Sequence, residues 1–325
     1  MLAVLLFVRC ERVLIAPDGD PTAVATFDEL WSTVDRKYSF FGLKGVDWDE
    51  VYDRYRPRVQ NGMNPIELFD VLSEMLFELR DGHVNLRAPF DVSRHWEWYL
   101  NSPPNFNYDV IERNYLGDDH RRTGPLLNVA IDSVGYVYYE SFGQFVSDFH
   151  IDFVVARYRN AKGLIIDVRG NGGGSLGNVE TLVSRFISER MLYSFWRYKA
   201  GPGREEFTEP IPQYLEPAGP RTWTRPVVVL TNRSCFSATN DFVLAMQQLP
   251  NVTVLGDTTG GGGGVPYFAE LPNGWTYRFS TTATLTPDGR DVEEGIPPDV
   301  RVDLNPDDEI RGVDTILEEA LRRLR

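Results

Sequence analysis

Apolar residues recur at helical spacing early in this chain and in short continuous runs later. Phe27, Leu30, Trp31 and Val34 lie three, four and seven residues apart, the spacing of one helical face. Asp47-Trp-Asp-Glu places acids where a first helical turn favours them, so a second helix is expected there. Residues 65–79 (PIELFDVLSEMLFEL) predict a third, with proline in its first turn. Residues 26–88 therefore read as a small helical unit. Residues 89–125 are dense in aromatics, Pro and Asn without a period and read as an ordered connector.

From residue 126 the pattern changes. Strands are expected over 134–139, 163–167, 227–230, 252–255 and 275–285. Helices are expected over 146–159 and 178–188, after Ser237, and over 313–324. Alternating strands and helices predict an α/β fold with a mostly parallel sheet covered by helices. Residues 126–325 form the expected core, and residues 1–25 read as a leader and linker.

Composition narrows the function. Of 325 residues, 42% are hydrophobic and 25% charged, the range of a soluble globular protein. A net charge of -14 disfavours nucleic-acid and anionic-membrane partners. The only cysteines, Cys10 and Cys235, cannot build a disulfide framework or a structural zinc site. Cys10 follows the apolar run LAVLLFV and precedes a loose Pro/Asp/Gly segment. That resembles the end of a bacterial lipoprotein signal and implies an envelope protein, periplasmic or surface-exposed, with a lipid anchor at Cys10.

Four segments carry candidate chemistry. In the first, a short apolar strand runs into a polar turn and a helix opening at Ser237. A serine there lies near unpaired N–H groups and the positive helix end, where acyl-transfer chemistry develops negative charge. The plainer reading is an N-cap. The second is LIIDVRGNGGGSLG, residues 164–177. Gly172-x-Gly174-x-x-Gly177 has dinucleotide-binding spacing, but Arg169-Gly-Asn separates it from the strand and no ribose-binding acid follows. Glycines at Gly172 and Gly173 also suit a backbone nest that aims N–H groups at an oxyanion. The third is Asp81-Gly-His83, at the end of a helix. The fourth is the acid pair Glu293-Glu294 before Gly-Ile-Pro-Pro-Asp. No His-Glu-x-x-His pattern occurs, so a metal hydrolase is not expected, and acyl transfer from a serine needs neither a metal nor another cofactor.

Taken in order, these motifs resemble those of the S41 peptidases, the family of C-terminal processing proteases, tricorn core proteases and interphotoreceptor retinoid-binding protein. The matching elements are Asp81-Gly-His83, Asp167-x-Arg-x-Asn-x-Gly-Gly, Ser237-Ala238 with Asp241, Gly256-x-Thr-x-Gly260 and Glu293-x-Gly-Ile-x-Pro-Asp299. The resemblance implies a crotonase/ClpP-like ββα core with a small N-terminal helical unit. It implies a serine peptidase acting on peptides or unfolded chain termini through an acyl-enzyme. A Ser–Lys design is excluded, because Lys37, Lys44, Lys162 and Lys199 all precede Ser237. The tricorn-like design remains, with Ser237 as nucleophile and His83 as base. Gly173 or Gly172 and Ala238 supply oxyanion N–H groups, and Glu293 or Glu294 supports the site; Val292-Glu293 fits the family's apolar-Glu pair better. An unperturbed imidazole base places an acid limb of activity near ~6.5. The retinoid-binding relatives offer an alternative, a non-catalytic ligand binder on the same fold.

Overall fold

A computed structural model describes residues 19–95 and 97–325. Cys10 and the expected signal lie outside the described residues. The chain divides into two compact units. The first comprises residues up to His95 with Gly201–Glu206 and Pro266–Thr281, and the second holds the remainder.

The first unit carries the three expected helices. Ala23–Lys37 buries Phe27, Leu30 and Val34. Trp48–Tyr55 is capped by Asp47, whose carboxylate accepts the Asp49 and Glu50 N–H groups. Pro65–Phe77 is capped by Asn64 and begins on proline, whose missing N–H costs nothing at that position. Trp31 and Trp48 stack with centroids 6.4 Å apart, and each indole donates to the other's carbonyl at 3.0 and 3.1 Å. The unit also contains an antiparallel sheet in the order Asn85–Arg87, Thr276–Ser280, Pro266–Glu270. Its inner face buries Leu86, Tyr277 and Phe279.

The second unit is built on a seven-stranded sheet. Its order is Val300–Arg301, Val252–Gly256, Val227–Thr231, Gly163–Asp167, Val134–Tyr138, Leu126–Ile131, Arg121–Thr123. The first five run parallel to one another, and the last two join by antiparallel pairing, only Leu126–Ile131 running against the five. Gly163–Asp167 and Val227–Thr231 are buried throughout, as interior parallel strands are. Helices Asp148–Arg157, Leu176–Val183 and Ala238–Gln247 contribute Val154, Leu182 and Phe242 to the core on one face. Helix Thr315–Leu324 covers the other with Ile316, Leu317 and Leu321. The α/β class expected from the sequence is the one observed.

Two features depart from the pattern reading. The segment expected as one strand over 275–285 is two strands, Thr276–Ser280 and Thr282–Leu285, one in each unit. A further antiparallel sheet of the second unit joins Thr282–Leu285, Met191–Tyr198 and Ile211–Leu215, the last two from a stretch with no predicted element.

Candidate active site

In open parallel sheets, chemistry gathers beyond the carboxyl ends of the strands. Two adjacent strands lead there in the second unit. Val227–Thr231 runs through a turn, closed by Cys235 N–H donating to the Asn232 carbonyl at 3.0 Å, into Ser237. Ser237 has φ +58° and ψ −125°, a region that costs a non-glycine residue of order 1–3 kcal/mol. The conformation is held from both sides. The Ser237 N–H donates to the Gly261 carbonyl at 2.8 Å, and the Ser237 carbonyl accepts from Asp241 N–H at 3.2 Å. The Ser237 side chain makes no capping hydrogen bond to helix Ala238–Gln247, so the N-cap reading does not describe it. Ala238 is the first helical residue, where an N–H has no carbonyl one turn back to bond.

Gly163–Asp167 leads into the glycine nest. Asp167 accepts from the Arg169 backbone N–H at 3.0 Å and from its guanidinium at 2.7 Å; Asp314 holds that guanidinium's other arm at 2.9 Å. All three side chains are buried, which fixes where the chain leaves the strand. Asn171 then ties the nest to the serine loop. Its Oδ1 accepts from Phe142 N–H (3.2 Å), Gly173 N–H (3.0 Å) and Thr239 Oγ1 (2.7 Å), and its carbonyl accepts from Phe236 N–H at 3.2 Å. Gly173 has φ +97°. A Cβ there would lie 2.5 Å from the Phe236 carbonyl, 2.8 Å from Ser237 Cβ and 3.0 Å from Ala238 N, so only glycine lets the nest approach the serine. Gly172 is exposed, with open space where a Cβ would stand. Its N–H makes no hydrogen bond among the described residues. The dinucleotide reading loses its room here, because the backbones of Phe142 and Gly143 pack against Gly174.

The two glutamates differ in burial. Glu293 is 4% exposed, and its Oε2 accepts from Gly263 N–H at 2.9 Å. Its carbonyl accepts from Gly262 N–H at 3.1 Å, next to the Gly261 whose carbonyl receives Ser237 N–H. Glu294 is exposed, and its backbone carbonyl accepts from Arg233 at 3.0 Å. Asn240, on the serine helix, donates to the Val292 carbonyl at 3.2 Å and accepts from Thr259 Oγ1 at 2.6 Å. The Gly256–Gly260 segment, the glutamate loop and the serine helix are thus one bonded assembly.

His83 belongs to the first unit. The Asp81 carboxylate accepts from His83 N–H at 2.7 Å and from Tyr38 OH at 3.1 Å, and Ser280 Oγ stands 3.4 Å from His83 Nδ1. The residue is 3% exposed. Burial lowers the imidazole to about 4; Asp81 pulls the other way, while Arg278 and Lys44 push further down. At neutral pH this ring is uncharged and able to accept a proton. A second titratable group of the site has an environment that its place in the motif does not encode. Asp241, one turn beyond Ser237, is buried, and its Oδ1 has no hydrogen-bond partner. Burial pushes its carboxyl up to about 7, opposed by its own N–H.

Residues 133–302 match the family model for peptidase family S41, and residues 25–77 that of the tricorn protease C1 domain. The carboxy-terminal processing protease CtpA of Bacillus subtilis is 31% identical over 147 residues, 45% of this chain and 30% of that protein. CtpB of the same organism is 27% identical over 175 residues, 52% of this chain and 34% of that protein. The chain thus spans about a third of the length of these curated relatives. Among solved structures, a Parabacteroides merdae protein is 47% identical, with a TM-score of 0.90 over 94% of this chain and 97% of its own. Mature CPAF complexed with lactacystin shares the fold, with a TM-score of 0.71 and 11% identity over 93% of this chain and 97% of its own.

Proposed function

This chain belongs to peptidase family S41, and on that premise we propose that it is a serine peptidase with Ser237 as its nucleophile. The observation that carries the reading is the backbone of Ser237. A strained φ of +58° persists only where its surroundings over-determine it, and such residues gather at functional sites. The serine lies beside a helical N–H and a glycine nest, which supports reading those two elements as an oxyanion site.

Ser237 Oγ attacks a peptide carbonyl, and neutral His83 takes the proton and returns it to the leaving amine. The Ala238 N–H donates to the developing oxyanion. Of the two nest glycines, Gly173 gives its N–H to Asn171, which favours Gly172 as second donor. Water then releases the acyl group, with Glu293 as the supporting carboxylate; its burial beside the Gly261–Gly263 segment favours it over exposed Glu294. The substrate class is peptides or unfolded chain termini. Lipid attachment at Cys10 belongs to the same proposal, and Cys10→Ser should move the protein from the membrane to the soluble fraction.

Turnover of a denatured protein substrate tests the reading. The wild-type chain should generate new amino termini, and Ser237→Ala should generate none while keeping its far-UV circular dichroism. Undiminished cleavage by Ser237→Ala contradicts it.

A further inference from the structure

The sheet of the first unit has a second face. Register pairs Asn85 with Arg278 and Arg278 with Phe268; it pairs Arg87 with Thr276 and Thr276 with Glu270. Side chains alternate along a strand, so these six residues share the face opposite buried Leu86, Tyr277 and Phe279. The chain then folds back, with Val92 bridging to Arg87 and Ser93 N–H donating to the Leu86 carbonyl at 2.8 Å. This brings Arg94 to the same place. The result is a cavity of about 550 Å³, large enough for a drug-sized ligand.

Its charge is out of balance. Three arginines line it, Arg87, Arg94 and Arg278, against a single carboxylate, Glu270. Elsewhere in the same unit Arg54, Arg56, Arg58 and Arg204 each meet a carboxylate. Neither Arg87 nor Arg278 forms an ion pair among the described residues. Arg278 is half-buried and spends one arm on Asn85 Oδ1, at 2.6 Å. Burial and the neighbouring Arg94 charge depress its basicity; Asp81 opposes this and Arg87 adds to it. Gathering like charges in a concave site costs stability unless an anion joins them. Phe268, 67% exposed, adds an apolar platform beside Arg278.

We propose that this cleft binds a carboxylate of a polypeptide substrate, Arg278 and Arg87 donating to its oxygens and Phe268 receiving the adjacent apolar side chain. The forked donors of arginine match a planar carboxylate. Polyanions are disfavoured as occupants by the net charge of -14, which repels a nucleic acid or an anionic bilayer at range. The cleft begins two residues beyond His83 in the chain. The proposal rests on the peptidase reading and specifies its substrate. The carboxylate has two possible sources, a chain terminus or a Glu or Asp side chain.

The test measures binding of fluorescent decapeptides to the full chain carrying Ser237→Ala, by anisotropy. One peptide has neutral side chains and a free C-terminus, a second is its C-terminal amide, and a third is the amide with one internal Gln replaced by Glu. A carboxylate-bearing peptide should bind about tenfold tighter than the plain amide, the worth of one charge-assisted contact. The free acid and the Glu peptide separate the two sources. Arg278→Gln and Arg87→Gln should each abolish the preference. Arg87 is exposed, so its variant is informative even if Arg278→Gln fails to fold. Equal binding of all three peptides, or a preference that survives Arg87→Gln, overturns the proposal; so does binding of an oligonucleotide or anionic vesicles in place of the peptides. Cleavage of the same peptides by the wild-type chain is scored in parallel. Cleavage without carboxylate preference defeats this inference alone. Carboxylate preference without cleavage defeats the peptidase reading alone.

Discussion

His83 sits in an environment that changes the chemistry expected from its identity. From its identity alone, activity would fall on an acid limb near ~6.5. Burial lowers the ring to about 4, so kcat/KM should hold through pH 6 and fall only as pH approaches 4. A limb near 6.5 in the pH–rate profile contradicts the assignment. The same shift acts on stability. Between ~6.5 and about 4 the unfolded chain holds a proton that native His83 does not. Stability is therefore lost as pH falls through that window and levels off below it. The glutamates make a second test at this scale. Glu293→Gln should reduce kcat by several tens-fold or more, up to the ~10²-fold at which loss of an oxyanion donor begins, and Glu294→Gln should leave it nearly unchanged. Equal small losses in a steady-state assay mean that the site runs without a glutamate.

The helix that follows Ser237 carries its own liability. Asp241 is a buried carboxyl with an unbonded Oδ1, raised to about 7 from an unfolded value near ~3.9. Between those values the native state holds the extra proton, so stability falls as pH rises through the window. Asp241→Asn should raise stability by about 1–3 kcal/mol at pH 8, the usual cost of a buried unsatisfied polar group, and by little at pH 5. Urea midpoints that shift equally at both pH values contradict this. Legibility followed burial at the scale of elements. The interior strands Gly163–Asp167 and Val227–Thr231 are apolar without interruption and read directly. Met191–Tyr198 and Pro266–Glu270 are half-exposed, so neither alternation nor a continuous run marks them. The break at Thr281 was invisible because apolar and β-branched residues continue through it. Asn171 stood inside a readable motif, yet its role was not readable. It bonds Phe142 and Thr239, 29 and 68 residues away, and no local pattern encodes those distances.

Across the whole molecule, the proposed chemistry is divided. Ser237, its oxyanion donors and Glu293 belong to the large unit, and His83 and the arginine cleft to the small one. The order of the motifs along the chain makes the set legible in the sequence, since five short patterns in one family's order are unlike chance. Between the two acids and between the two nest glycines the sequence left a choice, because neighbours in a chain differ by side-chain direction and bond partners rather than by identity. The central claim is that Ser237 is an activated nucleophile, and covalent trapping tests it most directly. The purified chain is incubated with a fluorophosphonate, its intact mass recorded, and the labelled peptide sequenced by tandem mass spectrometry. One adduct per chain, on Ser237 and absent from His83→Ala, is the predicted result. No adduct, or one on Ser234, contradicts the account.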